Sequence, residues 1–241
     1  MSIETPFTKV NLNSCLSALA KEFRKLNGKA MPAEIILIGG ASILANYGFR
    51  NATYDIDAVI YASSVMKEAI NHVGDRLDLP NGWLNADFKK TESYSDKLAE
   101  VSIYYKTFSN ILTVRTVAAE YLIAMKLMSG RQYKNDMSDI AGIMWEHQKI
   151  GKPITRETVD HAVETLYGGW TNIPSVSRDF ISDIFNSGDY ESIYLNSQIN
   201  EQDAKKILLE FQETYPNVLN DDNINSVIEQ AKHKREQNKE I

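Results

Sequence analysis

Residues 39–60, GGASILANYGFRNATYDIDAVI, open with two glycines after an apolar run and close with two aspartates separated by one isoleucine. The run before them, EIILIGG, predicts a short strand over residues 34–38 that ends at the glycines. ASILANYG predicts a short helix closed by Gly48, and TYDIDAVIYA predicts a second strand. This order of strand, glycine pair, helix and strand indicates an α/β fold at the start of the chain.

The two aspartates, Asp55 and Asp57, fall on the second predicted strand. Because side chains alternate along a strand, both point the same way, with Cα atoms about 6–7 Å apart. Ile56, Ala58 and Ile60 point to the opposite face, which suits a core. Two like charges on one face repel, so the pair requires solvent or a cation. Oxygen ligands at this spacing suit Mg²⁺ or Mn²⁺, and the plain alternative is solvated acids on an edge strand or a turn cap at Asp55.

The glycine pair, Gly39 and Gly40, stands at a strand end just before a helix. Glycine lets backbone N–H groups approach an anion closely, and a helix N-terminus adds a favourable dipole. A glycine pair by itself is more often a plain turn. Here a phosphate-binding turn and an acid pair follow each other on consecutive strands, which favours phosphoryl or nucleotidyl transfer.

The rest of the chain divides into a mixed half and a helical half. Residues 12–27 predict an amphipathic helix, SVMKEAINHVGDRL predicts another, and LPNGWLNADF predicts a loop. AEVSIYYKTF and NILTVRT predict two strands joined by a tight turn at Ser109-Asn110. After Thr116 every strong pattern is helical. We therefore expect an α/β domain over residues 1–115 and a helical domain over residues 116–241.

Composition narrows the class of protein. The chain has 241 residues, 43% of them hydrophobic, one cysteine and a net charge of −6. No apolar run reaches the length of a membrane span, and the N-terminus lacks the pattern of a signal peptide, so we expect a cytoplasmic protein without membrane contact. The acidic balance argues against bulk binding of long nucleic acid. The four histidines are scattered without zinc spacing, and no P-loop or G-x-S-x-G motif is present.

Two blocks resemble a known family. GFRNATYDID resembles the G-x-R-x-T-x-D-I-D form, with one extra residue between Arg50 and Thr53, and EYLIAMKLMSGRQYKNDMSDI resembles an L-x-x-M-K-L-x-x-x-R-x-x-K-D-x-x-D-I segment, with Asn135 inserted. Both are similar to the minimal nucleotidyltransferases of the DNA polymerase β-like superfamily, nearest the bacterial AbiEii-type abortive-infection toxins. The resemblance implies a mixed sheet with flanking helices, followed by a helical half that completes the active site and acceptor pocket.

The resemblance also implies a role for each matching residue. Asp55 and Asp57 would bind Mg²⁺ or Mn²⁺ and so orient the α-phosphate of an NTP. The nucleotide would be held by Gly39, Gly40, Ser42, Arg50, Thr53, Lys126, Arg131 and Asp139. Lys126 would contact phosphates or stabilise the leaving group, and its alternative is a lysine that snorkels at the edge of the core. Asp136 has the ordinary explanation of an acid at a helix start.

Many members of the resembled superfamily use a third carboxylate on a later strand as a base. Asp87 in GWLNADF is the first candidate for a catalytic acid here, and Glu100 is the second. Without such an acid, the chain would be a non-catalytic nucleotide-binding or regulatory module on the same fold.

The main hypothesis is a Mg²⁺-dependent nucleotidyltransferase that moves an NMP from an NTP to a hydroxyl on RNA, protein or a small molecule. An RNA 3′ end such as that of tRNA is the first acceptor to test, because the acidic chain requires a local contact. The resemblance suggests a toxin-like or defence role with an antitoxin partner. A third hypothesis is an aminoglycoside-like, small-molecule nucleotidyltransferase.

Overall fold

The structure is a computed structural model that describes residues 6–28, 31–220 and 223–237. Within these ranges the α-helices are α1 Lys9–Asn27, α2 Gly39–Asn46, α3 Val65–Leu77, α4 Ala119–Ser129, α5 Asp136–Lys149, α6 Arg156–Tyr167, α7 Ser175–Ser187, α8 Tyr190–Thr214 and α9 Ile224–Gln237. The strands are β1 Ala33–Leu37, β2 Ile56–Tyr61, β3 Leu84–Asn85, β4 Ser102–Phe108 and β5 Leu112–Val117. Short 3-10 helices cover Asp87–Lys90, Asp96–Ala99 and Trp170–Asn172.

The five strands form one mixed sheet in the order β3-β2-β1-β5-β4. β1 runs antiparallel to β2 and parallel to β5, β2 runs parallel to β3, and β4 and β5 form an antiparallel hairpin. The sheet and the helical second half confirm the predicted α/β class. These directions bring the ends of β1 and β5 and the starts of β2, β3 and β4 to one end of the sheet, which we call the glycine end because Gly39 follows β1 there.

Helix α1 and the sheet build the main core of the first half. Thr8 begins the helix with a capping box, in which its hydroxyl accepts from the Asn11 amide and the Asn11 side chain accepts from the Thr8 amide at 2.6 Å. Ile56, Ala58 and Ile60 pack in the same core as the apolar face of α1, so the predicted alternation along β2 is confirmed. Full burial of an isoleucine side chain such as that of Ile56 stabilises the fold by about 1.5–3 kcal/mol.

Two connections between strands were predicted from the sequence, and the structure agrees with one prediction and differs from the other. Ser109 and Asn110 both have positive φ, 51° and 52°, which confirms the tight turn between β4 and β5. LPNGWLNADF, expected to be a loop, contains β3, so that expectation is wrong for Leu84–Asn85. The strand exists because β2 offers a parallel partner, and the Trp83 indole anchors the segment by donating to the Ile70 carbonyl at 3.0 Å.

The chain separates into two compact units whose boundaries differ from the expected division at residue 115. The first unit contains Met1–Met125 and Ile154–Asn172, and the second contains Lys126–Pro153 and Ile173–Ile241. Helix α6 thus belongs to the unit that holds the sheet. Inside that unit the Tyr167 hydroxyl donates to the Ser93 carbonyl at 2.8 Å, and burial raises the pKa of Tyr167 above its ordinary value.

The second unit is helical. Helix α5 packs along α8, and α8 in turn packs against α9 through a small cluster of Ala204, Leu208 and Ile228. Gly130, whose φ is +56°, lies between α4 and α5 and lets the chain turn where α4 ends. Across the described parts of the chain, no helix combines the length and the apolarity needed to cross a membrane.

Candidate active site

The glycine end of the sheet contains the N-terminus of α2. Ile38 is the N-cap residue of α2 and makes no side-chain cap hydrogen bond, and the first turn of α2 contains no acidic residue. Gly39 has a φ of +51°, a conformation that other residues adopt only with strain. The amides of the first helical turn have no partner in their own helix, so this end can bind an anion.

The acid pair lies on the strand beside these glycines. The Ile38 amide donates to the Asp57 carbonyl at 2.9 Å, so β1 and β2 hold Asp57 next to the start of α2. Asp57 is the second residue of β2 and is half-buried, whereas Asp55 is exposed. The expectation that both acids belong to the strand is wrong for Asp55, which precedes Ile56. A bend at Tyr54 interrupts the strand before Asp55.

Arg50 and Thr53 pack directly against Gly40. A Cβ atom at Gly40 would lie 2.7 Å from Thr53 Oγ1 and 2.9 Å from Arg50 Nη2. Thr53 Oγ1 in turn lies 3.4 Å from Asp55 Oδ1 and 3.3 Å from the Asp55 carbonyl oxygen, and Arg50 Nε donates to the Ala52 carbonyl at 3.2 Å. The structure therefore places a guanidinium and a hydroxyl against a glycine that leaves room for them, and a carboxylate beside the hydroxyl.

Ser42, which the sequence predicts to bind the nucleotide, lies inside the core. Its side chain is fully buried, and its Oγ accepts from the Val117 amide at 3.2 Å. The hydroxyl thus connects α2 to the end of β5 inside the core. Its predicted role with the triphosphate stays a prediction, and the geometry supports a packing role for the side chain.

The donor set at the acid pair fits a hard divalent cation. Asp55 and Asp57 supply carboxylate oxygens, which Mg²⁺ and Mn²⁺ prefer, and Mg²⁺ is commonly bound by one or two carboxylates together with water and substrate phosphates. Among the described residues, no group of three or more acids, histidines or cysteines is arranged to hold a metal ion. A cation at this pair would therefore depend on its two acids and on neutral oxygens.

The candidates for a third acid differ in their distance from the pair along the sheet. Asp87 opens the 3-10 helix that follows β3, the neighbour of β2, and its side chain is 73% exposed and bonded to Lys90 at 2.6 Å. Glu100 is exposed and precedes β4, which is separated from β2 by β1 and β5. At about 4.8 Å per strand, β4 lies roughly 14 Å from β2. The sheet order favours Asp87, and the catalytic role of either acid stays a prediction.

Lys126 belongs to a buried ionic cluster in the second unit. Its Nζ lies 2.7 Å from Asp136 Oδ1 and 2.8 Å from Asp139 Oδ2, and Arg131 Nε lies 2.8 Å from Asp136 Oδ2. Burial would raise the pKa of Asp136, but Lys126 and Arg131 outweigh it and hold that pKa well below its ordinary value. The sequence predicts that Lys126, Arg131 and Asp139 bind the nucleotide. In the structure each of the three forms an ion pair within this cluster.

The acid that sequence reasoning missed in this unit is Glu201. From α8 it accepts from the amides of Met137 and Ser138 at 2.9 and 3.1 Å and from the Ser138 hydroxyl at 2.6 Å, so it caps α5. Burial and the nearby carboxylate of Asp139 raise the pKa of Glu201 to about 7, although the hydrogen bonds from Ser138 oppose that rise. No local pattern links residue 201 to residue 138, so only the packing of α5 on α8 reveals the cap.

Comparisons with known proteins place the chain in a family. A crystal structure of an antigenic nucleotidyltransferase-like protein from Paracoccidioides brasiliensis is similar over 79% of this chain and 94% of that chain, with 15% identity and a TM-score of 0.42. No curated protein matches the sequence. A family model described as a nucleotidyltransferase of unknown function (DUF6036) matches residues 14–161. Because the match covers more than half of the sequence, the chain belongs to this nucleotidyltransferase family.

Proposed function

We propose that this protein is a Mg²⁺-dependent nucleotidyltransferase that moves an NMP from an NTP to a hydroxyl acceptor. The observation that carries the proposal is the packing of Arg50 and Thr53 against Gly40, with Asp55 beside the Thr53 hydroxyl and Asp57 next to the start of α2. Membership of the nucleotidyltransferase family supports the same reaction. Mn²⁺ fits the same oxygen ligands and is proposed as an alternative ion.

Each residue near Gly40 has a proposed task. The first amides of α2 donate to phosphate oxygens of the NTP, and the Arg50 guanidinium beside them offsets phosphate charge. Thr53 keeps the Asp55 carboxylate oriented through its hydroxyl. The cation, when bound by Asp55 and Asp57, supplies charge stabilisation at the reacting phosphate. The acceptor hydroxyl then attacks the α-phosphorus and gives its proton to a base, for which Asp87 is the first candidate. A new P–O bond forms, and the bond to pyrophosphate breaks.

The decisive test removes one carboxylate at a time. Asp55→Asn and Asp57→Asn should each lower label transfer from an α-³²P-NTP by about a hundredfold or more while the fold is preserved. Asp75→Asn is the matched control, because Asp75 is an exposed acid on α3. NTP binding with and without Mg²⁺ is measured in parallel by calorimetry. Full transfer activity in either site variant would refute the metal assignment.

We propose an RNA 3′ end, with tRNA as the first substrate to assay, as the acceptor. The net charge of −6 supports this choice over long duplex DNA, since binding must depend on a few local contacts. Labelling of the protein itself, with none on RNA, would instead identify a protein acceptor. The pattern GFRNATYDID further supports a place near the AbiEii-type toxins, with an antitoxin partner in the cytoplasm. Growth arrest on expression, relieved by a neighbouring gene, tests that role.

One observation favours a second function, a nucleotide-binding module without transfer activity. The described residues contain no group of three acids at the pair, which leaves the site without an evident third carboxylate. Such a module would bind NTP with Mg²⁺ and lose binding in Asp57→Asn, yet transfer no label to total RNA or cell lysate with any NTP. The two functions thus give the same binding result and opposite transfer results.

A further inference from the structure

Asn85 is the residue that the sheet places directly beside Asp57. In the parallel pair of β2 and β3, Ile56 is in register with Leu84, and Asp57 is in register with Asn85. Ile56 and Leu84 are both buried in the same core. Because side chains alternate, Asp57 and Asn85 extend from the opposite face, on strands about 4.8 Å apart.

The hydrogen bonds of Asn85 fix which atom is its oxygen. The side-chain Oδ1 accepts from the Asp87 amide at 2.9 Å, and Nδ2 donates to the Gly82 carbonyl at 3.3 Å. Exchanging the two atoms would place a donor against an amide and an acceptor against a carbonyl. Oδ1 therefore keeps a second lone pair, and the turn from Gly82 to Asp87 holds the carboxamide in place.

The charge at this position matters for a cation bound by the acid pair. An amide oxygen can coordinate a hard cation but adds no charge, whereas a carboxylate would add a third negative charge within about 5 Å of Asp57. The described residues contain no third acid in a metal-binding arrangement, so the position beside Asp57 is the nearest place on the sheet for another ligand.

From this arrangement we propose that Asn85 is a neutral oxygen ligand of the cation held by Asp55 and Asp57, and that its lack of charge limits the affinity for that cation. The inference rests on the proposed function, because it assumes that the acid pair binds a divalent ion. It assigns to β3 a residue that touches the cation, while Asp87, two positions further on, is bonded to Lys90.

The test measures Mn²⁺ binding to the full chain without nucleotide, by the electron paramagnetic resonance signal of free Mn²⁺. Asn85→Asp should tighten Mn²⁺ binding by about tenfold, because it adds a charge close to a divalent ion. Asn85→Ala should weaken binding by about threefold or more, because it removes the oxygen. Asn81→Asp is the control for charge, since Asn81 is exposed in the same segment, and it should change affinity by less than about twofold.

Equal Mn²⁺ affinities for Asn85→Asp and Asn81→Asp would overturn the inference, as would unchanged binding by Asn85→Ala. Asp57→Asn separates this failure from failure of the proposed function. If Asp57→Asn abolishes Mn²⁺ binding and the Asn85 variants do not alter it, the acid pair stands and the role of Asn85 is refuted. If Asp57→Asn also leaves Mn²⁺ binding unchanged, both the acid-pair assignment and the inference are refuted. Circular dichroism of each variant confirms folding.

Discussion

Gly40→Ala tests whether the space at the start of α2 serves the ligand or only the fold. The backbone of Gly40 lies outside the positive-φ region, so alanine meets no conformational penalty there. Helix propensity alone would favour alanine by at most about 1 kcal/mol, the value for a helix interior, because Gly40 lies in the first turn of α2. The new methyl group, however, would lie 2.7 Å from Thr53 Oγ1 and 2.9 Å from Arg50 Nη2, which is closer than real contacts allow.

The two neighbours respond differently to that methyl group. Thr53 is 3% exposed, and its backbone exchanges hydrogen bonds with Phe7 at 2.7 and 2.9 Å, so it has little room to retreat. Arg50 ends in a flexible side chain and can swing aside. Overpacking of this kind costs about 1–3 kcal/mol, and the gain in helix propensity offsets part of it. We expect the free energy of unfolding to fall by about 1 kcal/mol.

The effect on the nucleotide should be larger than the effect on stability. Displacing Arg50 removes a charged donor, and a hydrogen bond to a charged group is worth about 1.5–3 kcal/mol, so NTP affinity should fall by about tenfold or more. Calorimetric titration with Mg²⁺ measures binding, and urea unfolding measures stability. Gly48→Ala is the matched control, because a Cβ there has no neighbour within 4 Å. Normal NTP binding by Gly40→Ala, with only a loss of stability, would refute the phosphate assignment.

Three further predictions concern the other charged groups. Lys126→Met should lower the free energy of unfolding by about 3 kcal/mol, because the two buried carboxylates lose the positive charge of Lys126. Urea unfolding measures this loss, and a variant that has normal stability but fails to bind NTP would contradict the prediction. Glu201 has a pKa of about 7 in the folded chain against 4.5 in the unfolded chain, so its contribution to stability falls as pH rises between these values. The free energy of unfolding of Glu201→Gln, relative to that of wild type, should therefore rise by about 2–3 kcal/mol as the pH increases from 4.5 to 8. Urea unfolding measures this difference, and a difference that is independent of pH would refute the prediction. Asp87→Asn should reduce label transfer more than Glu100→Gln, because β3 adjoins β2 and β4 does not, and the reverse order would reject Asp87 as the base.

Elements with strong local signals could be predicted from the sequence. The apolar spacing of α1, the glycine stop after β1, and the turn at Ser109-Asn110 each arise from neighbouring residues, and all three are present in the structure. The grouping of Gly40, Thr53 and the acid pair also belongs to this class, since a strand, a short helix and a returning strand bring them together by local connection.

Features that depend on distant partners could not be predicted in this way. Thr53 pairs with Phe7 in an isolated bridge, and the bend that follows excludes Asp55 from β2. β3 has only two residues and becomes a strand because β2 lies beside it. For Lys126 the sequence offered a phosphate contact or a lysine that snorkels at the edge of the core, and it did not indicate the pairing with Asp136 and Asp139 that the structure contains. Helical periodicity likewise does not reveal that residues 154–172 pack with the first unit.

The distribution of charge explains why the glycine end would require a cation. The acid pair contributes two negative charges, and a triphosphate brings several more to the same place. Near Gly40 the structure supplies the Arg50 guanidinium and the N-terminus of α2, which acts as roughly half a positive charge. Lys126 is engaged with two carboxylates in its own unit. A divalent ion would offset the repulsion between Asp57 and the phosphates, so the proposed function leads us to expect NTP binding that requires Mg²⁺.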